Sequence, residues 1–178
     1  LDMIISDLDN VDIDEKFGEY IEKLKTFTGI KTHLAPKSFK GKLRDYQKAG
    51  LNWLYFLKDY SFGGILADDM GLGKTIQVLA LLAKEKRNKN SSPSLIIAPT
   101  SVVFNWINEA KKFVPSLKMI NHTGNERDSE NNTSFDKYDV ILTSYSILLR
   151  DYNLFIDKKF HYIILDESQK IKNPIAKT

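Results

Sequence analysis

The sequence predicts an α/β fold in three layers, with a mostly parallel sheet covered by helices on both faces. The first observation behind that expectation is a series of short apolar runs: GGILA (63–67), SLIIAP (94–99), LKMIN (117–121), YDVILTS (138–144) and FHYIILD (160–166). The second is that helical patterns fall between them, over 74–86, 102–113 and roughly 144–149. Strands that are apolar throughout belong in sheets buried on both faces, and alternation with helices marks parallel strands joined by crossovers. The third is what ends the runs. Hydroxyls or carboxylates gather after several of them, at the edge where parallel sheets bind ligands.

Taken in order, the chain opens with Ile13, Phe17, Tyr20, Ile21, Leu24 and Phe27 at helical spacing, closed by Gly29 and Pro36. Residues 1–36 read as the end of an upstream region plus a linker, and 37–178 as the α/β domain. The first residue, Leu1, suggests a chain excised from something longer. A second helix is expected from Leu43 to about Tyr60, with Leu43, Tyr46, Gly50, Trp53, Leu54 and Leu57 near one face. The polar stretches 88–93 and 124–134 read as surface loops.

With 178 residues the chain is long enough for one domain with a real core. No apolar run approaches the roughly 18 residues of a membrane helix, so no membrane partner is expected. The acidic N-terminus is no secretory signal. The sequence holds no cysteine, which removes disulfides and thiolate metal sites. His33, His122 and His161 show no ligand spacing and read as ordinary surface or core residues. Charge is uneven: residues 1–36 carry four basic and eight acidic groups (4 − 8 = −4), and residues 37–178 carry 22 and 15 (22 − 15 = +7). A basic body points, weakly, to an anionic partner such as a nucleic acid. The expected location is the cytoplasm, with the nucleoid if the source is bacterial.

The chemistry starts at DDMGLGKT, 68–75. Gly71 and Gly73 permit backbone turns that aim successive N–H groups at phosphate oxygens, and a helix beginning at Lys74 adds its positive end. Lys74 can reach the β- and γ-phosphates of a nucleotide, and the Thr75 hydroxyl can ligate Mg²⁺. Asp69, Met70 and Leu72 complete the loop. The general pattern G-x-x-x-x-G-K-[ST] would place glycine at position 68, where this chain has Asp68. At the end of FHYIILDESQ stand Asp166, suited to hold Mg²⁺, and Glu167, suited to orient and deprotonate an attacking water. An Asp-Glu pair can also simply end a strand in solvent. Trp106 reads as core rather than as a stacking platform.

Five blocks in order resemble the first RecA-like lobe of the Swi/Snf family of superfamily-two double-stranded-DNA translocases. They are KLRDYQKAGLNWL (42–54), LADDMGLGKTIQ (66–77), LIIAPTSVVFNW (95–106), VILTSYSILLRD (140–151) and LDESQKIKNP (165–174), the last resembling bacterial and archaeal members. The resemblance covers most of 38–178 and leaves 1–36 outside. Members commonly enter the loop through an acidic pair, so Asp68 fits the family. Ser168 departs from it, since Ala or Gly is usual there. By block matching, the resemblance implies that Gln47, with help from Arg44, reads adenine through an amide that can both donate and accept. It implies that Gln169 links the nucleotide site to a second lobe or to DNA. It also implies that Pro99, Thr100 and Ser101, with Thr143, Ser144 and Tyr145, meet the DNA backbone; helix capping is the plainer reading of these hydroxyls.

The fold it implies is a phosphate-loop, RecA-like ATPase lobe, incomplete at its C-terminus. A further strand would lie between the loop strand and the acid strand, and a second RecA-like lobe would supply an arginine worth roughly 10³–10⁵ in rate. Neither falls within 1–178, so the two key strands are not expected to share one continuous sheet unless something else fills the gap. The implied activity is ATP- and Mg²⁺-dependent translocation on double-stranded DNA by the longer protein, with this piece alone inactive in hydrolysis. A strand-separating helicase and a non-catalytic nucleotide- or nucleic-acid-binding module are the alternatives.

Overall fold

The computed structural model describes residues 18, 22–86, 92–124 and 135–171. The helix expected over 12–27 and both long polar loops lie largely outside these residues, as does the end of the last motif block.

Helix α1 (Asp45–Asp59) starts where the Arg44 backbone N–H donates to Gln47 Oε1 at 2.9 Å, tying the first turn to the residue before it. It buries Gln47, Leu51 and Tyr55, spaced by four, which gives one inward stripe. Helix α2 (Lys74–Glu85) buries seven of its 12 residues, including the unbroken run Leu79–Ala83. A helix apolar on so much of its surface must be covered on several sides, and α2 packs between α1 and α3 (Thr100–Phe113).

The strands are β1 (Ser94–Ala98), β2 (Met119–His122), β3 (Val140–Ser144) and β4 (Ile163–Leu165), all parallel in the spatial order β2-β3-β1-β4. Side chains alternate across the sheet as the pleat requires. Ile96, Ala98, Val140 and Leu142 join the larger core with Leu51, Leu79, Trp106 and Ala110 from the three helices and Val114 just after α3. Leu95, Ile97 and Ile141 face a smaller core on the other side with Phe135 and Phe155. That second layer is thin, built from α4 (Tyr145–Arg150) and two short 3-10 turns. The expected parallel sheet between two covering layers is what forms.

Two details differ from the sequence reading. Residues 63–67 form no strand, and Ile65 is 81% exposed. The segment runs along α1 instead, with Gly64 so close to Leu57 and Trp53 that a Cβ there would come within 2.3 and 2.8 Å of them. β4 is not buried on both faces either: it pairs only with β1, and Ile163 and Leu165 are 63% and 44% exposed. The two facts have one cause. An apolar run becomes a strand only when a neighbour supplies its hydrogen bonds, and among the described residues neither 63–67 nor the outer edge of β4 has one.

Candidate functional site

The loop between 63 and the start of α2 is fixed by side chains from α1 and α2. Gly71 and Gly73 sit at φ 84° and 79°, the left-handed region that only glycine enters cheaply. Gly73 is the residue just before α2, and no side chain caps that helix start. A Cβ on Gly73 would lie 2.6 Å from Gln47 Nε2, so the loop and α1 touch here without room for any other residue. The Leu72 carbonyl accepts from both Gln47 Nε2 and the Tyr46 hydroxyl, each at 3.1 Å.

Lys74 Nζ donates to the carbonyls of Asp68 and Asp69 at 2.7 and 3.1 Å. The Asp68 carboxylate accepts from Gln77 Nε2 at 3.1 Å, and Gln77 is fully buried against Gly50. This explains how an acid is accommodated in the glycine-shaped turn. Its charge is answered by a buried amide, and its backbone carbonyl helps hold the lysine. Thr75 is half-buried in the first turn of α2, Met70 is 90% exposed at the tip of the loop, and Arg44 is exposed.

The second cluster lies at the carboxyl edge of the sheet, where β1, β3 and β4 all end. Asp166 follows β4, its N–H bonded to the Ile97 carbonyl at 2.8 Å. Its Oδ2 accepts from Trp106 Nε1 at 2.8 Å and its carbonyl accepts from the Tyr145 hydroxyl at 2.8 Å. Burial, and then the charges of Asp166 and Glu167, push the Tyr145 phenol above its ordinary value, so it stays a donor at neutral pH. Glu167 has φ 51° and ψ 44°, a left-handed conformation costing a non-glycine residue roughly 1–2 kcal/mol. Strain of this kind concentrates at functional sites. Gln169 Nε2 hydrogen-bonds Glu167 Oε2.

Some expected site residues have other duties. Gln47 is buried, with its amide oxygen held by the Arg44 N–H and its nitrogen on Leu72, so it ties α1 to the loop. Thr143 is fully buried and its hydroxyl donates to the His122 carbonyl at 3.0 Å, which removes it from any DNA-facing surface. Ser144 is buried and caps α4, its Oγ accepting from the Ile147 N–H at 3.4 Å. Pro99 is buried, whereas Thr100 and Ser101 are exposed at the start of α3. Sequence reasoning placed Trp106 in the core, where it lies 3% exposed, but missed its bond to Asp166. A buried indole N–H needs an acceptor, which is a signal, yet nothing local identifies one sixty residues away. Among the described residues no hydrogen bond or ion pair joins the loop to Asp166 or Glu167. A cavity of about 290 Å³, lined by Glu85, Lys86, Asp139 and His161 among others, opens at the opposite, amino-terminal edge of the sheet.

Fold and site geometry together define a class, a RecA-like α/β lobe with a glycine-shaped turn before a helix and an acid pair at a strand end. The chain belongs to the SNF2-related domain family, whose model matches residues 46–178. It is 48% identical over 143 residues to the helicase swr1 of Schizosaccharomyces pombe, covering 78% of this chain and 11% of that protein. It is 41% identical over 169 residues to YwqA of Bacillus subtilis, covering 93% and 18%. The SWI2/SNF2 ATPase core of Sulfolobus solfataricus, solved in complex with double-stranded DNA, superposes with a TM-score of 0.70 at 42% identity, over 79% of this chain and 29% of that one. The chain therefore spans a small part of each of these relatives.

Proposed function

We propose that this chain is the first nucleotide-binding lobe of an ATP-driven motor that moves along double-stranded DNA. The observation that carries the proposal is the pairing of a glycine-shaped turn at the start of α2 with Asp166 and Glu167 at the carboxyl edge, on a lobe 42% identical to an ATPase core solved on duplex DNA.

The residues present suit a magnesium nucleotide. Gly71 and Gly73 are left-handed, a backbone shape suited to cradling phosphate, and the uncapped start of α2 leaves its first N–H groups for phosphate oxygens. Lys74, now on the Asp68 and Asp69 carbonyls, is the residue that would hold the β- and γ-phosphates. Thr75 and Asp166 are the residues that would hold Mg²⁺. When bound, the ion neutralises charge that develops on the phosphoryl oxygens. Glu167 accepts the proton of the attacking water, and Gln169 holds its carboxylate in place. Gln47 acts through the loop, whose Leu72 carbonyl it holds. Thr100 and Ser101 supply the exposed hydroxyls for the DNA backbone, a contact that positions without reading sequence.

The test is steady-state ATP hydrolysis by the full-length protein without nucleic acid and with duplex DNA, single-stranded DNA or RNA, repeated with Lys74→Ala and Glu167→Gln. Stimulation chiefly by duplex DNA, abolished in both variants, is the expected result. Equal stimulation by single strands would replace this reading with strand separation, and no hydrolysis under any condition would reduce it to nucleotide binding.

A further inference from the structure

Asp166 is held in an unusual way for a residue at the end of a three-residue edge strand. β4 has a neighbour on one side only, and its own side chains are largely exposed, so little in the strand itself fixes the direction of the residue that follows. What fixes it comes from both layers. Trp106, buried in the larger core, reaches up from α3 and donates to Asp166 Oδ2 at 2.8 Å. Tyr145, packed against the smaller core at the start of α4, donates to the Asp166 carbonyl at 2.8 Å. The Asp166 N–H closes the arrangement on Ile97 of β1 at 2.8 Å.

We propose that Trp106 and Tyr145 are positioning residues that clamp Asp166 from opposite faces of the sheet and set the direction of its carboxylate toward a nucleotide-bound divalent cation. The proposal rests on the reading of Asp166 as a holder of that cation. Its chemistry is simple. A neutral indole N–H on an ionised carboxylate is a charge-assisted bond, short and directional, and it removes no charge from the ligand. It occupies one oxygen, Oδ2, leaving Oδ1 to meet the metal or a metal-bound water. The Tyr145 bond anchors the backbone, so the carboxylate cannot swing with a fraying strand end. Partners of this kind typically change metal affinity by roughly 10–100-fold when removed.

The experiment is Mn²⁺ binding by the full-length protein in the presence of a non-hydrolysable ATP analogue, followed by electron paramagnetic resonance. The variants are Trp106→Phe, Tyr145→Phe and Asp166→Asn, and metal-free nucleotide affinity and thermal unfolding are measured alongside. Trp106→Phe is expected to weaken Mn²⁺ about 10-fold. Tyr145→Phe should weaken it by less, and metal-free nucleotide affinity should be unchanged in both. The same variants should regain kcat at raised Mg²⁺, which a merely structural defect would not permit. If Asp166→Asn weakens Mn²⁺ while neither clamp variant does, the clamp is wrong and the metal reading stands. If Asp166→Asn binds Mn²⁺ as the parent does, both fall. Should Trp106→Phe fail to fold, Tyr145→Phe decides alone: unchanged Mn²⁺ affinity overturns the clamp, and weakened affinity supports it.

Discussion

Gly50 sits mid-way along α1, where alanine would ordinarily be the better helix former by about 1 kcal/mol. Here the opposite is predicted. An alanine Cβ at 50 would lie 1.9 Å from Gln77 Oε1 and 3.0 Å from its Cδ. Restoring ordinary contact at 3.4 Å requires the amide to retreat by about 1.5 Å. Gln77 is fully buried, and its Nε2 holds the Asp68 carboxylate at 3.1 Å, so retreat breaks that bond. Overpacking costs about 1–3 kcal/mol. A lost hydrogen bond to a charged group costs about 1.5–3 kcal/mol. These terms overlap and are offset by the helix gain, leaving a net loss of about 2 kcal/mol for Gly50→Ala. For a chain of this size that is a fall in Tm of about 4–8 °C.

The decisive assay is a double-mutant cycle in urea with Gly50→Ala, Gln77→Ala and the pair. With the Gln77 side chain gone nothing opposes the new methyl, so Gly50→Ala in the Gln77→Ala background should be neutral or stabilising by up to about 1 kcal/mol. The sign of the Gly50→Ala effect therefore reverses between backgrounds, with a coupling of roughly 2–3 kcal/mol. Equal destabilisation in both backgrounds, within about 0.5 kcal/mol, would refute the idea that glycine is there to seat Gln77.

Gly73→Ala should destabilise the fold by roughly 1–2 kcal/mol or more, since the left-handed conformation and the contact with Gln47 are both present in the folded loop; a urea melt measures it. Thr143→Val should cost about 1 kcal/mol of stability in a urea melt and leave duplex-DNA affinity unchanged, because the hydroxyl serves the His122 carbonyl. Thr100→Ala with Ser101→Ala should do the reverse, lowering DNA affinity in an anisotropy titration at fixed salt with an intact melting curve. In acid the chain should lose stability in two stages. His33 is held below its ordinary 6.5, first by burial and then by Lys84, so its contribution is complete above 6.5 and fades as pH falls through the folded value. Burial pushes Glu85 up, but its bonds to Lys58 and His161 outweigh that and hold it below 4.5, so its contribution is complete above 4.5 and is lost as pH falls further. His33→Gln should flatten the upper limb of the urea midpoint against pH, and Glu85→Gln the lower.

The strands at 94–98 and 140–144 were legible because an unbroken apolar run has one economical home, a buried parallel sheet, and 163–165 pairs at its edge although its side chains are largely exposed. GGILA met the same test and still forms no strand, since pairing is a relation between two segments and a run carries only one of them. The hydroxyls at 143 and 144 were ambiguous for a similar reason. Thr and Ser at a strand end serve equally as caps, internal donors or phosphate contacts, and only burial separates these roles. Asp68 shows most clearly what motif reading lacks. Within the loop its charge looks opposed to a phosphate site. The residue that resolves this, Gln77, lies nine positions on, at the end of the first turn of α2, and is itself seated by a glycine on a different helix. None of the three residues is informative alone, but each removes the objection to the next. Gly50 leaves room for Gln77, Gln77 answers the charge of Asp68, and the Asp68 carbonyl helps hold Lys74 where the turn begins. On this account the Asp68 side chain is fastened by Gln77 while its backbone carbonyl holds Lys74, and removing Gln77 should disturb the proposed nucleotide site as surely as it disturbs the core.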